Sequence, residues 1–207
     1  MDIAEILAQL GSGKIVLMYG VAGSGKTNLV LHILKYLAEH LPNANHYYIS
    51  TEGSTFAHLL ERYDLIKYDN VWFIEVINLD HLLESLLRIL VRKENIGAVV
   101  IDSINNHYRF ELFFNRRANT LLNMVLATLR TITEKSICPS IITAQTTVDE
   151  LGNVRVSGES IIKFWSDIVI KVERNEINQR VACFELPSDL RGKCISFIIG
   201  EDGVKIK

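Results

Sequence analysis

The sequence predicts an α/β fold in which a mostly parallel central sheet is flanked by helices and ends in antiparallel hairpins. Short apolar runs alternate with longer segments of helical periodicity, and some runs, such as residues 98–101, are apolar throughout. Strands buried on both faces need such continuous runs, and strands alternating with helices are typical of parallel sheets with right-handed crossovers. Near the C-terminus, Asp202-Gly203 separates two apolar runs and predicts a hairpin.

The predicted elements follow one another without a linker, an internal repeat or a low-complexity tract. We predict strands at residues 14–19, 46–50, 71–76, 98–101, 137–144, 168–173, 180–186, 196–199 and 204–207. We predict helices at residues 2–10, from the glycine-rich segment to before Pro42, around 56–63, at 80–93 and at 117–135. With 207 residues, the chain is expected to form one domain, residues 1–207.

Composition excludes several classes of protein. The formal net charge of −2 argues against a surface wholly committed to nucleic acid. No apolar run approaches the roughly 20 residues that span a bilayer, and the acidic N-terminus does not resemble a signal peptide. The 3 cysteines show no zinc spacing and no C-x-x-C pair. We therefore expect a soluble, cytoplasmic protein with reduced thiols and no structural metal.

A glycine-rich segment between the first strand and its helix matches the pattern G-x-x-x-x-G-K-[ST] at every fixed position. Its glycines let backbone N–H groups turn towards an anion, and the helix N-terminus adds partial positive charge. The lysine can reach the β- and γ-phosphates, and the threonine hydroxyl can bind Mg²⁺. We predict binding of ATP with Mg²⁺ by Gly20, Val21, Ala22, Gly23, Ser24, Gly25, Lys26, Thr27 and Asn28.

Three polar residues stand at or just past the ends of other strands. Asp102 can hold Mg²⁺ together with Thr27, although an aspartate there could instead cap the next turn. Glu52 could accept a proton from the attacking water, or be an ordinary solvated loop residue. Gln145 could bond to the γ-phosphate and report its loss, or be a simple polar strand end.

These segments resemble motifs of the RecA/RadA recombinase superfamily, in that family's order from about residue 12 onwards. Thr51-Glu52-Gly53 is similar to its T-E-G segment, and Val100-Ile101-Asp102-Ser103 to its second nucleotide motif. The strand ending in Gln145 is similar to the one that carries the family's signalling glutamine. The resemblance implies a RecA-like P-loop NTPase core in which Glu52 positions the attacking water.

The sequence also departs from the full-length recombinases. We expect the protein to lack their helical-hairpin DNA-binding domain and the room for their polymerisation linker. Ser50 stands where they usually have an acidic residue before T-E-G. The second DNA loop, residues 146–157, would be short for strand exchange. The chain most resembles the core-only archaeal RadA paralogues (RadB- and RadC-like), which implies regulation of recombination.

Residues 109–117 lie where the family's first DNA loop falls, and they combine three arginines with three phenylalanines. Arg109, Arg116 and Arg117 could pair with phosphates while the rings stack on bases. The segment could also bind a protein partner, or be a helix start whose phenylalanines pack inward. Lys171 and Arg174 could approach a neighbouring subunit's nucleotide if the protein oligomerises.

The leading hypothesis is a weak, Mg²⁺-dependent ATPase that acts in DNA repair and recombination, binds single-stranded DNA and works with a recombinase or paralogue. Slow turnover is expected because the sequence supplies no obvious arginine finger in cis. The alternative is a nucleotide-switched scaffold, similar to KaiC-like or archaellum-associated ATPases, that binds proteins instead of DNA. A small-molecule kinase fits poorly with the T-E-G segment and the late hairpins.

Overall fold

A computed structural model describes residues 6, 11–53, 57–92, 94–148, 154–175, 179–201 and 203–206. Most of the helix predicted at residues 2–10 lies outside these ranges, as does Phe56. Within them, no helix has both the length and the apolar character needed to cross a membrane.

Strands and helices alternate through most of the described chain, as predicted. The strands are β1 Ile15–Gly20, β2 Asn45–Ser50, β3 Val71–Glu75, β4 Ile96–Asp102, β5 Ser140–Val148, β6 Val154–Val156, β7 Ile168–Arg174, β8 Arg180–Leu186, β9 Cys194–Gly200 and β10 Gly203–Ile206. The α-helices are α1 Lys26–His40, α2 Ala57–Arg62, α3 Leu79–Val91, α4 Asn106–Glu111, α5 Ala118–Ser136 and α6 Glu159–Trp165.

The strands form one continuous sheet in the order β10-β9-β8-β7-β1-β5-β4-β2-β3, and β6 pairs with the end of β5. The pairings from β7 through β1 to β3 are parallel, whereas β7, β8, β9 and β10 pair antiparallel. The predicted α/β class with C-terminal antiparallel hairpins is therefore confirmed. Whether residues 1–207 behave as one domain stays a prediction.

The sheet is covered on both faces, which explains its continuous apolar strands. Alternate side chains of β1 point to opposite sides: Ile15 and Leu17 belong to a core with α3, α5 and α6, whereas Val16 and Met18 pack with α1 and α2. Both cores consist of fully or nearly fully buried side chains. These two layers fix the strands, and with them the loops at their carboxyl ends.

The strand predicted at residues 137–144 begins later and continues further than expected. Ile137 follows α5 in a left-handed conformation with φ 50°, and the strand starts only at Ser140. The apolar pair of Ile137 and Cys138 suggested a strand, but both backbone N–H groups bond to the Thr133 carbonyl oxygen and close the helix. Beyond Gln145, β5 runs to Val148 and pairs with β6, so the ends of the predicted loop are the arms of a hairpin.

The prediction of three reduced thiols is wrong for two of them. Cys183 and Cys194 form a disulfide between β8 and β9, where they are directly opposed in the antiparallel register. The sequence separation of 11 residues reflects the path of the connection between the strands, which is not visible from cysteine spacing. Cys138 is free and buried, as expected of a core residue.

Candidate nucleotide-binding site

The carboxyl ends of four parallel strands meet at one edge of the sheet. Gly20 at the end of β1 is opposite Gln145 of β5, and Ser50 of β2 is opposite Asp102 of β4. A cavity of about 250 Å³ opens at this edge. It is lined by Ala22, Gly23, Gly25, Lys26, Thr27, Asn28, Glu52, Asp102, Gln145, Arg180 and Ile199. The structure thus brings together predicted residues from four separate parts of the chain.

The glycine-rich segment turns from β1 directly into the N-terminus of α1. Gly25 precedes the helix with φ 101°, a conformation that favours glycine. The ammonium of Lys26 is buried and donates to the carbonyl oxygens of Gly20 at 2.9 Å and Val21 at 3.0 Å. Burial lowers the pKa of Lys26, while the carboxylates of Asp102 and Glu52 oppose this shift. The lysine is therefore held as a partly desolvated cation at an anion-attracting helix end.

Asp102 ends β4 as a buried carboxylate held by hydroxyl groups. The Tyr48 hydroxyl donates to Oδ2 at 2.7 Å, and the Thr143 hydroxyl donates to Oδ1. Burial first, and then the charge of Asp102, raise the pKa of Tyr48 well above its ordinary value, so the phenol stays protonated and remains a donor. Because a carboxylate has about four lone-pair positions, Asp102 retains capacity for a metal ion.

Glu52 and Gln145 are joined directly across the cavity. The Gln145 amide Nε2 donates to Oε1 of Glu52 at 2.5 Å, and the Ser103 hydroxyl donates to the same oxygen at 3.2 Å. The Ser50 hydroxyl, which stands in place of the usual acidic residue, donates to the carbonyl oxygen of Gly53 and accepts from the Glu52 N–H. The turn that presents Glu52 is thus fixed by local hydrogen bonds.

A buried asparagine links this cavity to the segment that follows β4. Asn105 accepts from the Gln145 N–H at 3.0 Å and donates to the Gln145 carbonyl oxygen at 2.8 Å. Asn106, the first residue of α4, donates to the carbonyl oxygen of Thr51 at 2.6 Å. Neither asparagine was predicted as a site residue, because the residue that each contacts is remote in sequence. They tie α4 to both sides of the Glu52–Gln145 pair.

The aromatic and basic segment at residues 109–117 lies on the surface. Phe110, Phe113 and Phe114 are 64%, 82% and 88% exposed, so the interpretation in which they pack inward is wrong. Arg116 and Arg117 are exposed, and Arg109 is partly exposed. None of these three arginines lines the nucleotide cavity.

The acidic residue in this segment is held by backbone and amide donors. Glu111 accepts from the Leu79 N–H at 2.9 Å and from the Asn115 side-chain amide at 2.9 Å.

The segment that follows β6 lies close to α4. A methyl group built on Gly158, just past β6, would lie 2.8 Å from the Tyr108 ring of α4. Tyr108, just before the first segment that resembles a DNA loop, therefore lies beside Gly158, just after the second.

Arg180 and Ile199 also line the cavity, and no sequence motif marks either residue. They come from β8 and β9, and only the order of the sheet places them near β1. Lys171, a candidate for contact with a neighbouring subunit's nucleotide if the protein oligomerises, forms an ion pair of 2.8 Å with Glu173. Arg174 is directly opposite Arg180 in the β7–β8 pairing.

The groups in the cavity suit a nucleoside triphosphate with Mg²⁺. The Lys26 ammonium and the start of α1 supply positive potential for phosphates. The Thr27 hydroxyl and the Asp102 carboxylate are oxygen ligands of the kind that Mg²⁺ prefers. The fit rests on the chemistry of these groups and on their shared cavity.

Comparison with known proteins gives a consistent picture along nearly the whole chain. A protein of Methanococcus maripaludis described as DNA repair and recombination protein RadB is 28% identical, over 93% of this chain and 91% of its own. RadB of Methanocaldococcus jannaschii is 25% identical, over 97% of both chains. RadB of Methanosphaera stadtmanae is 27% identical, over 79% of this chain and 74% of its own. No protein-family model matches the chain.

Proposed function

We propose that the chain, a RadB-like paralogue of the RecA/RadA superfamily, binds ATP with Mg²⁺, hydrolyses it slowly and is an accessory factor in DNA recombination and repair. The observation that carries this proposal is the single cavity shared by Lys26, Thr27, Glu52, Asp102 and Gln145. The relatives' description as DNA repair and recombination proteins supports the cellular role.

Each residue has a defined part in this proposal. The backbone of residues 20–28 and the Lys26 ammonium bind and orient the phosphates. Thr27 and Asp102 would hold Mg²⁺, which neutralises phosphate charge when it is bound. Glu52 orients the attacking water and takes up its proton. Gln145 donates to Glu52 and lines the cavity, so a bound γ-phosphate would compete for its amide.

Single-stranded DNA is the proposed ligand of the surface at Arg109, Arg116 and Arg117. Exposed phenylalanines beside arginines provide stacking and phosphate pairing, a combination that tolerates any base sequence. The hydrogen bonds of Asn105 and Asn106 connect this surface to the nucleotide cavity. A recombinase or a second copy of the chain could engage the same surface, as the scaffold alternative requires.

ATPase turnover, measured with and without a single-stranded oligonucleotide, tests the proposal. We expect slow turnover that requires Mg²⁺ and changes when DNA is added. The matched variant Lys26→Ala should show no turnover in either condition. Turnover that persists in Lys26→Ala would refute the assignment of the nucleotide site. A wild-type rate that is the same with and without DNA would favour the scaffold alternative.

A further inference from the structure

The geometry points to Arg180 as a phosphate-binding residue that acts in cis, on the nucleotide held by its own chain. This inference rests on the proposed nucleotide site and adds a residue to it. Arg180 begins β8, far from the glycine-rich segment in sequence, and yet it lines the same cavity as Lys26 and Thr27.

The topology of the sheet delivers Arg180 to this position. β7 runs parallel to β1, with Lys171 opposite Tyr19, so the end of β7 lies beside the start of the glycine-rich segment. β8 returns antiparallel to β7, with Arg180 opposite Arg174. The first residue of β8 is therefore at the same edge of the sheet as Gly20. No other subunit is needed to bring this guanidinium to the cavity.

The contact between Arg180 and the loop is close. A methyl group built on Gly25 would lie 2.7 Å from Cδ of Arg180, 2.9 Å from its Nε and 3.0 Å from Cδ1 of Ile199. A side chain at position 25 would therefore collide with the arginine in its present position. The side chain thus lies over the part of the loop whose backbone N–H groups would surround the α- and β-phosphates.

The local charges also favour an anion at this point. Arg174 and Arg180 are directly opposed across β7 and β8, and like charges in that relation are destabilising. Burial first, and then the charge of Arg174, lower the pKa of the Arg180 guanidinium. A bound polyphosphate would place negative charge beside Arg180. Its oxygens also match the planar fork of a guanidinium, which can donate two parallel hydrogen bonds.

Equilibrium titration with Mg²⁺–ATP and Mg²⁺–ADP tests this assignment. Arg180→Met keeps much of the aliphatic stem over Gly25 and removes the charge. It should weaken the binding of both nucleotides about tenfold or more. Arg180→Lys keeps a cation without the planar fork and should recover part of the loss. The matched control is Arg191→Ala, because Arg191 is exposed in the connection between β8 and β9 and contacts a backbone carbonyl there; its affinities should equal those of the wild type. Wild-type affinity in Arg180→Met, or in Arg180→Lys if the first variant does not fold, would overturn the assignment.

Mixing two variants distinguishes action in cis from action on a neighbouring subunit. Lys26→Ala keeps Arg180 but lacks the phosphate-binding lysine. Arg180→Met keeps Lys26 and the glycine-rich segment but lacks the guanidinium. If Arg180 acts in cis, the ATPase rate of the mixture equals the sum of the separate rates. A rate restored above that sum would overturn the assignment, because it would show that Arg180 serves a neighbouring subunit's nucleotide.

The same set of proteins separates failure of this inference from failure of the nucleotide site. If the wild type does not bind Mg²⁺–ATP, the proposed function itself is wrong. If the wild type binds Mg²⁺–ATP, Lys26→Ala does not and Arg180→Met does so with wild-type affinity, only the role of Arg180 is refuted.

Discussion

Gln145 Nε2 donates a 2.5 Å hydrogen bond to Oε1 of Glu52, and this bond joins the end of β5 to the turn that follows β2. The proposed water-orienting carboxylate therefore accepts a hydrogen bond from the proposed γ-phosphate sensor. A γ-phosphate in the cavity would compete for the same amide. This exchange of partners gives a physical route from nucleotide state to β5 and, through Asn105, to α4.

Replacement of Glu52 should separate chemistry from binding. Glu52→Gln removes the carboxylate that takes up the proton, so single-turnover hydrolysis should slow about 100-fold or more. Affinity for Mg²⁺–ATP should change less than about threefold, because the loop and Lys26 supply the phosphate contacts. Glu61→Gln, an exposed change in α2, serves as the control and should leave both quantities unchanged. Equal hydrolysis by the two variants would contradict the role of Glu52.

The Tyr48 hydroxyl is predicted to position Asp102 for metal binding. Tyr48→Phe removes the donor to Oδ2, so the Mg²⁺ concentration at half-maximal hydrolysis should rise about tenfold. Tyr47→Phe is the matched control, because the neighbouring Tyr47 hydroxyl bonds to Glu94 and does not contact Asp102. Titration of hydrolysis with Mg²⁺ checks this prediction, which fails if the two variants have the same midpoint.

Nucleotide affinity should decline in alkaline solution because burial lowers the pKa of Lys26 below 10.5. Phosphates favour the ammonium form, so binding is strongest while Lys26 is protonated and weakens as pH rises through the lowered pKa. In Lys26→Arg the guanidinium stays protonated, and its lower affinity should be independent of pH from about 7 to 10. Titrations across that range check the difference. If affinity declines equally at alkaline pH in both proteins, the titrating group is not Lys26.

The arginines near α4 should contribute a salt-dependent part of DNA affinity. Arg116→Ala combined with Arg117→Ala should weaken binding of a single-stranded oligonucleotide and lower the slope of log affinity against log salt by about 1.4, since each phosphate contact contributes about 0.7. Phe113→Ala with Phe114→Ala should weaken binding without changing the slope. Arg62→Ala with Arg191→Ala, both exposed elsewhere, is the control pair. Absence of wild-type binding at low salt would favour the protein scaffold.

Local patterns were sufficient to predict most of the strands and helices. The run at β4 is apolar on both faces because it lies between two cores. The glycine-rich segment could be recognised because its glycines, lysine and threonine stand at fixed spacings. The prediction that a strand begins at Ile137 was wrong. An apolar residue can begin a strand, but Ile137 instead ends a helix in a left-handed conformation.

The parts of the site that were not predicted depend on strand order and register. Arg180 reaches the cavity through the β1–β7–β8 path. Asn105 and Tyr48 act through hydrogen bonds to residues 40 and 54 positions away. The Cys183–Cys194 disulfide also follows from register. No spacing rule connects such residues, since the intervening loops can have any length.

The most direct measurement is equilibrium binding of Mg²⁺–ATP to the wild type and to Lys26→Ala, with circular dichroism to show that both proteins are folded. A nucleotide bound at the carboxyl ends of β1, β4 and β5 requires saturable binding by the wild type. The variant should bind at least about 100-fold more weakly, because it lacks the buried ammonium that faces the phosphates. Equal affinity of the two folded proteins, or no binding by the wild type, would contradict the account.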